Sequence, residues 1–220
     1  MERSFVIIKP DGTARRRVSA LVVKAFLDQG FKLVAFNEMK VPESLAKMHY
    51  DVHKEKPFFP WLVDFISSAP VLTMIFEAEN VIQGIRDALG ATFVQKAASD
   101  ALRGKYGIWA GINIAHASDA PETATKEIQL WTAEGGLEES PDAEKNARSY
   151  IELHSSGDAD YTMEIRAVVK DSIENRDVSD SVLERLNLLL SKDAKGISAD
   201  EISALASVIF DYIKEEVEKE

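Results

Sequence analysis

Apolar positions along the first 131 residues switch between a strand-like and a helix-like period, and the switches mark out the elements. Phe5-Val6-Ile7-Ile8 is a β-branched and aromatic run that reads as a buried strand. Lys9-Pro10-Asp11-Gly12 follows with turn chemistry, since Pro fixes φ and Asp-Gly favours a tight bend. A helical stripe of Val18, Leu21, Val22, Ala25 and Phe26 begins after Arg15-Arg16-Arg17, a triplet expected to be a solvated helix start, and Gln29-Gly30 ends it. Phe31 to Lys40 reads as a second strand. Pro42-Glu43-Ser44 opens a short helix to Tyr50, and Lys56-Pro57-Phe58-Phe59-Pro60-Trp61 breaks the chain before Leu62, Phe65 and Ile66 resume helical spacing. Val71 to Phe76 is a third strand, followed by a helix through Ile82, Ile85 and Leu89 that stops at Gly90. Residues 91–105 read as a loop and Tyr106 to Ile114 as a fourth strand. Asp119-Ala120-Pro121-Glu122 is expected to cap a helix through Ala124, Ile128 and Trp131.

The order is β-α-β-α-α-β-α-β-α. With the lid-like helix pair set aside, it is the split βαββαβ arrangement, which predicts an α+β, ferredoxin-like fold: a four-stranded antiparallel sheet with helices on one face. After Trp131 the pattern changes. Residues 132–142 are rich in Gly, Glu, Ser and Pro, a linker composition. Three helical stripes follow at Tyr161–Asn175, Ser179–Leu190 and Ser198–Glu218, the last opened by Ser198 and Glu201 spaced as a capping box. Each has one apolar face, so the three are expected to form a small helical bundle. The expected organisation is a domain at 1–135, a linker at 136–159 and a helical domain at 160–220.

Charge sharpens that division. Residues 1–131 hold 16 Lys+Arg against 15 Asp+Glu, while the remainder holds 10 against 22, so the net charge of −11 belongs to the C-terminal part. An acidic bundle argues against broad nucleic-acid binding. With 0 cysteines there is neither a disulfide nor a thiolate metal site, and no apolar run approaches membrane-spanning length. A cytoplasmic protein with no membrane contact is the expectation.

The candidate chemistry centres on Gly111 to Asp119. His116 stands where an apolar run gives way to Ala117-Ser118-Asp119, between scaffold and loop. Imidazole can act there as base or nucleophile. An ordinary hydrogen-bonded histidine fits the same position. Glu127, downstream, could fold back to orient the ring. Lys9 at a strand end is either a phosphate contact or a solvated lysine. Arg86 near a helix C-terminus is either a ligand or a partner of the helix dipole. Tyr50 and an exposed Phe58 could form an aromatic slot for a base, or Phe58 and Phe59 could both be core.

The motifs taken together weigh these alternatives. Phe5-Val6-Ile7-Ile8-Lys9-Pro10-Asp11-Gly12, His49-Tyr50, Lys56-Pro57-Phe58-Phe59, Arg86 with Leu89-Gly90-Ala91-Thr92, Arg103-Gly104, Asn113-x-x-His116-x-Ser118-Asp119 and Lys126-Glu127-Ile128-x-Leu130-Trp131 resemble the nucleoside diphosphate kinase family in order and spacing. The resemblance covers about residues 2–131. It implies a ping-pong transfer of the γ-phosphate of a nucleoside triphosphate to a nucleoside diphosphate through a phosphohistidine on His116. It makes Glu127 the orienter of that ring and Ser118 its neighbour. Lys9, Arg86, Thr92, Arg103 and Asn113 become phosphate and sugar contacts, and Tyr50 and Phe58 become the base slot and ring network. Mg²⁺ would arrive with the nucleotide rather than in a protein cage, and a homo-oligomer is implied. The sequence departs from the family in lacking the usual prolines after Thr92, in having Ile112 where arginine is common, and in its long C-terminal part. A chain ended near Trp131 is expected to keep the transfer. The competing reading is a non-catalytic assembly or docking protein that keeps the kinase fold, with the acidic helices as its working part.

Overall fold

The computed structural model describes residues 1–157 and 159–219. Strands β1 (Glu2–Ile8), β2 (Lys32–Met39), β3 (Val71–Ala78) and β4 (Ala115–Ala117) form an antiparallel sheet in the order β2-β3-β1-β4. Between them lie α1 (Pro10–Thr13), α2 (Arg16–Asp28), α3 (Glu43–His49), α4 (Phe59–Ser67), α5 (Val81–Leu89) and α6 (Leu102–Tyr106). Helices α7 (Pro121–Ala133), α8 (Ala143–His154), α9 (Thr162–Asn175), α10 (Asp180–Ser191) and α11 (Ala199–Lys219) follow β4.

Ser4 to Ile8 of β1 are wholly buried because the sheet is covered on both sides, which explains the unbroken apolar run. Val6, Ile8, Met74 and Phe76 pack with α2 and α5, while Phe5, Ile7 and Ile75 pack with α3, α4 and Trp131 of α7. This corrects the expectation of helices on one face, and it leaves no sheet face open to stack bases. The lid-like pair α3–α4 supplies part of the second layer.

The fourth strand is also shorter and later than Tyr106–Ile114. Tyr106 ends α6, Trp109 and Ile112 form an isolated bridge, and Ala110 (φ 43°) and Ile114 (φ 68°) turn left-handed, breaking the extended path. Its alternating apolar residues serve another purpose: Ile108 and Ile112 are buried against the C-terminal helices together with Ala14 and Phe65. The stretch 136–159, expected as linker, carries α8, whose Ala143 and Ala147 are buried in the core on β2 and α2. Helix α7 starts at Pro121 after an N-cap of Ala120 with no side-chain cap, so Asp119 does not cap it.

Helices α9, α10 and α11 bury Val169, Leu186, Leu190, Leu205 and Ile209 in one cluster, and the capping box forms as expected: the Ser198 amide donates to Glu201 Oε2 at 3.0 Å and the Glu201 amide to Ser198 Oγ at 3.3 Å. The arginine triplet is not a solvated helix start. Arg15 is fully buried, donating to Asp11 O, Tyr106 O and Thr162 Oγ1 at 2.7–2.9 Å, and Arg16 donates to Lys195 O and Glu38. Two of the three thus tie the sheet domain to the last helices.

Candidate active site

The loop 107–114 reaches the site through a strained residue. Ile114 is β-branched yet left-handed, a conformation that persists only where the surroundings hold it. Its amide donates to buried Asp11 Oδ2 at 2.9 Å and its carbonyl accepts from the Lys9 amide at 2.8 Å. Gly12 makes room for this, since a Cβ there would lie 2.7 Å from Ile8 Cγ2 and 3.1 Å from Ile114 O. The kink hands the chain to β4, where His116 pairs with Ile7.

His116 Nε2 lies 2.7 Å from Glu127 Oε1, and Ser118 Oγ donates to Glu127 Oε2 at 2.6 Å. Ser118 Oγ is itself pinned to β1, accepting from the Phe5 amide at 3.1 Å. Both oxygens of one carboxylate on α7 are therefore committed, and an imidazole beside a carboxylate acceptor carries its proton on Nε2. Among the described residues no group bonds Nδ1. The ring is about a quarter exposed and faces a cleft of about 810 Å³.

Cations converge on that cleft. Lys9, buried at the end of β1, donates to Gly111 O at 2.6 Å and sits 5.2 Å over the Phe65 ring; burial first, then Arg103, brings its pKa down to about 8 against the pull of Asp11. Arg103 donates to Gly90 O at 3.0 Å and Ala115 O at 2.9 Å, and burial, then Arg86, lowers it to about 10. Its Nε is buried with no protein partner. Asn113 Nδ2 donates to Thr92 O at 2.6 Å, while Asn113 Oδ1 is buried and unpartnered. Arg86 and Thr92 line the same cleft. Arg103 and Asn113 both line the cleft, so polar and cationic side chains wall it together with the His116 ring.

Of the ten residues singled out from sequence, nine line this cleft or bond the groups that do. Phe58 does not: it is half exposed and its ring meets His53, 5.7 Å away. Tyr50 lines the cleft but is buried, its hydroxyl pushed above its ordinary pKa by burial. The apolar part of the cleft near Tyr50 is made by Val52 and Leu62 instead. Sequence reasoning also passed over His49, visible only as the neighbour of Tyr50. Its ring stands edge-on to His116 at 4.7 Å, and Trp131 Nε1 donates to its Nδ1 at 3.2 Å; burial, then His116 and His53, hold it neutral.

Among the described residues one group of metal-capable side chains occurs, His49, His116 and Glu127. Glu127 is already spent on His116 and Ser118, and Mg²⁺ takes six oxygens. Two imidazoles and one committed carboxylate do not make that oxygen set.

The family model "Nucleoside diphosphate kinase" matches residues 2–136. Over 137 residues the chain is 46% identical to a nucleoside diphosphate kinase of Trichormus variabilis, covering 62% of this chain and 91% of that one. It is 45% identical over 146 residues to one of Methanothermobacter thermautotrophicus, covering 66% and 97%. Among solved structures, the Halobacterium salinarum nucleoside diphosphate kinase in complex with CDP is 37% identical with a TM-score of 0.58, covering 66% of this chain and 97% of that one. The Aquifex aeolicus enzyme is 35% identical with a TM-score of 0.56, covering 59% and 93%. Helices α8 to α11 lie beyond the residues matched by the family model.

Proposed function

This chain belongs to the nucleoside diphosphate kinase family, and from that premise we propose that it moves the γ-phosphoryl group of a nucleoside triphosphate to a nucleoside diphosphate in two steps through His116. The observation that carries the reading is the ring itself: Nε2 fixed on Glu127, Nδ1 free, with buried cationic donors around the same cleft.

In the first step the Nδ1 lone pair attacks the γ-phosphorus, the bond to the β–γ bridging oxygen breaks, and the diphosphate leaves with that oxygen. As Nδ1 becomes positive, Glu127 stabilises the ring through Nε2–H, and Ser118 holds the carboxylate. In the second step a terminal oxygen of another diphosphate attacks the phosphorus and the P–N bond breaks, restoring the neutral ring. Charge on the transferred group is met by Lys9, Arg86 and Arg103, of which Lys9 and Arg103 are preorganised by bonds to backbone carbonyls. Asn113, held on Thr92 O, flanks the sugar, and Thr92 flanks the phosphates. Mg²⁺, brought by the nucleotide, neutralises phosphate charge. The base lies toward Tyr50, Val52 and Leu62, with Phe58 and His53 at the outer edge. Self-association into a homo-oligomer belongs to the same proposal on the family alone. A docking module has no use for an oriented imidazole set among buried cations.

The test is exchange. With ATP and Mg²⁺ against several nucleoside diphosphates, initial rates are expected to give parallel double-reciprocal lines. Intersecting lines would overturn the two-step scheme.

Lys9 adds a pH signature. Its folded pKa of about 8 lies below the ordinary 10.5, so the unfolded chain binds this proton more tightly between those values. Keeping the buried ammonium charged below pH 8 costs about 3 kcal/mol, a cost that falls as pH rises. Phosphate binding needs the charged form. The free-enzyme pKa governs kcat/KM, so this ratio is expected to fall above pH 8, approaching tenfold per pH unit, while the Lys9 contribution to stability improves. Stopped-assay rates from pH 7 to 10 check the slope; a flat profile contradicts a phosphate contact by Lys9.

A further inference from the structure

Arg103 is carried by a helix that cannot hold itself. Helix α6 has 5 residues, too few to be stable alone; Arg103 O accepts from the Gly107 amide at 2.9 Å, while Gly104 O and Tyr106 O have no partners within the helix. Two guanidinium groups supply them. Arg15, from the start of α2, donates to Tyr106 O at 2.9 Å. Arg166, from α9, donates through Nη2 to Gly104 O at 2.7 Å and Arg103 O at 3.3 Å, and through Nε to Gly107 O at 2.5 Å. A cation over a helix C-terminus also meets the negative end of its dipole. At its other side α6 is seated so closely that a Cβ on Gly104 would lie 1.8 Å from Ala98 O. The helix is held on one side by the loop before it and on the other by the C-terminal bundle.

We infer that Arg166 is a positioning residue for phosphoryl transfer: by gripping the C-terminal carbonyls of α6 it fixes Arg103, and through the Arg103–Ala115 bond the strand residue next to His116. The inference rests on the assignment of Arg103 as a phosphate contact. It gives the C-terminal helices a role in the reaction, although they lie outside the region matched by the family. Those helices also bury Ile108 and Ile112, which flank the Gly111 carbonyl that anchors Lys9, and Val208 O of α11 accepts from Trp61 Nε1 at 2.9 Å beside Phe65, the ring under Lys9. The expectation that a chain ended near Trp131 keeps the transfer is revised accordingly.

The experiment is a double-mutant cycle in the full chain. Single-turnover rates are measured with ATP and Mg²⁺, normalised to the phosphate incorporated per chain so that misfolded protein does not count. R166A is expected to slow the normalised rate by on the order of tenfold, with a smaller change in KM, because a displaced donor is felt in the transition state. R166K, which can meet one carbonyl, recovers part of the loss and serves as the readout where R166A folds poorly. R148A, at an exposed position of α8, is the charge-loss control and stays at the native rate. In an R103A background, R166A has little further effect, since it acts through Arg103. A normalised R166A rate within twofold of native, or an R166A penalty that is undiminished beside R103A, overturns the inference. If R103A itself leaves the rate unchanged, the phosphate assignment fails instead.

Discussion

His116→Ala is expected to abolish exchange between nucleoside tri- and diphosphates, a loss of more than about 10⁴-fold, with folding intact. The size follows from the two-step scheme. Every phosphoryl group passes over Nδ1, and no neighbour can replace it: His49 is buried, its Nδ1 lone pair accepts from Trp131, and its other ring nitrogen therefore carries the proton. The substitution removes a part-exposed ring whose strand neighbours keep their backbone pairing, so stability is expected to change little. Circular dichroism and phosphate incorporation from ATP check both halves. A variant that still takes up phosphate at the native rate would place the nucleophile elsewhere.

Arg103→Ala is expected to cost about 10²- to 10³-fold in kcat/KM, or about 3–4 kcal/mol of barrier. This side chain does two jobs. In the proposed reaction its charge faces the transferred phosphate from the wall of the cleft, and its two made bonds join the Gly90 turn to Ala115. Arg103→Lys separates the jobs, because one ammonium cannot span both carbonyls and still face the cleft. The lysine variant is expected to lie between alanine and native in steady-state kinetics. Native activity in both variants would contradict the role.

The sequence carried much of this. β1, β2, β3 and the helices that follow them were legible because each has a clear period and a stop such as Gly30 or Gly90, both left-handed in the structure. The fourth strand was misread for a physical reason. Ile108 and Ile112 are apolar to suit the C-terminal bundle, not a sheet, and the two left-handed residues that break the path leave no mark in an apolar pattern. Arg15 and Arg16 looked solvated because their acceptors come from residues as far along the chain as Thr162 and Lys195. At the site, the side chains were legible as spaced motifs. The carbonyls of Gly90, Gly111 and Ala115 that orient the cations, and the Arg166 grip on α6, were not, since a backbone acceptor has no sequence signature and Arg166 lies in the segment read as a separate domain.

The most direct test of the central claim is the position of the phosphate. The full chain, incubated with ATP and Mg²⁺ and quenched in base to preserve a phosphoramidate, is expected to carry phosphate on Nδ1 of His116, to lose it in acid, and to surrender it to added nucleoside diphosphate. Phosphate on another residue, or on Nε2 where Glu127 stands, or a label that diphosphate does not discharge, would contradict the account.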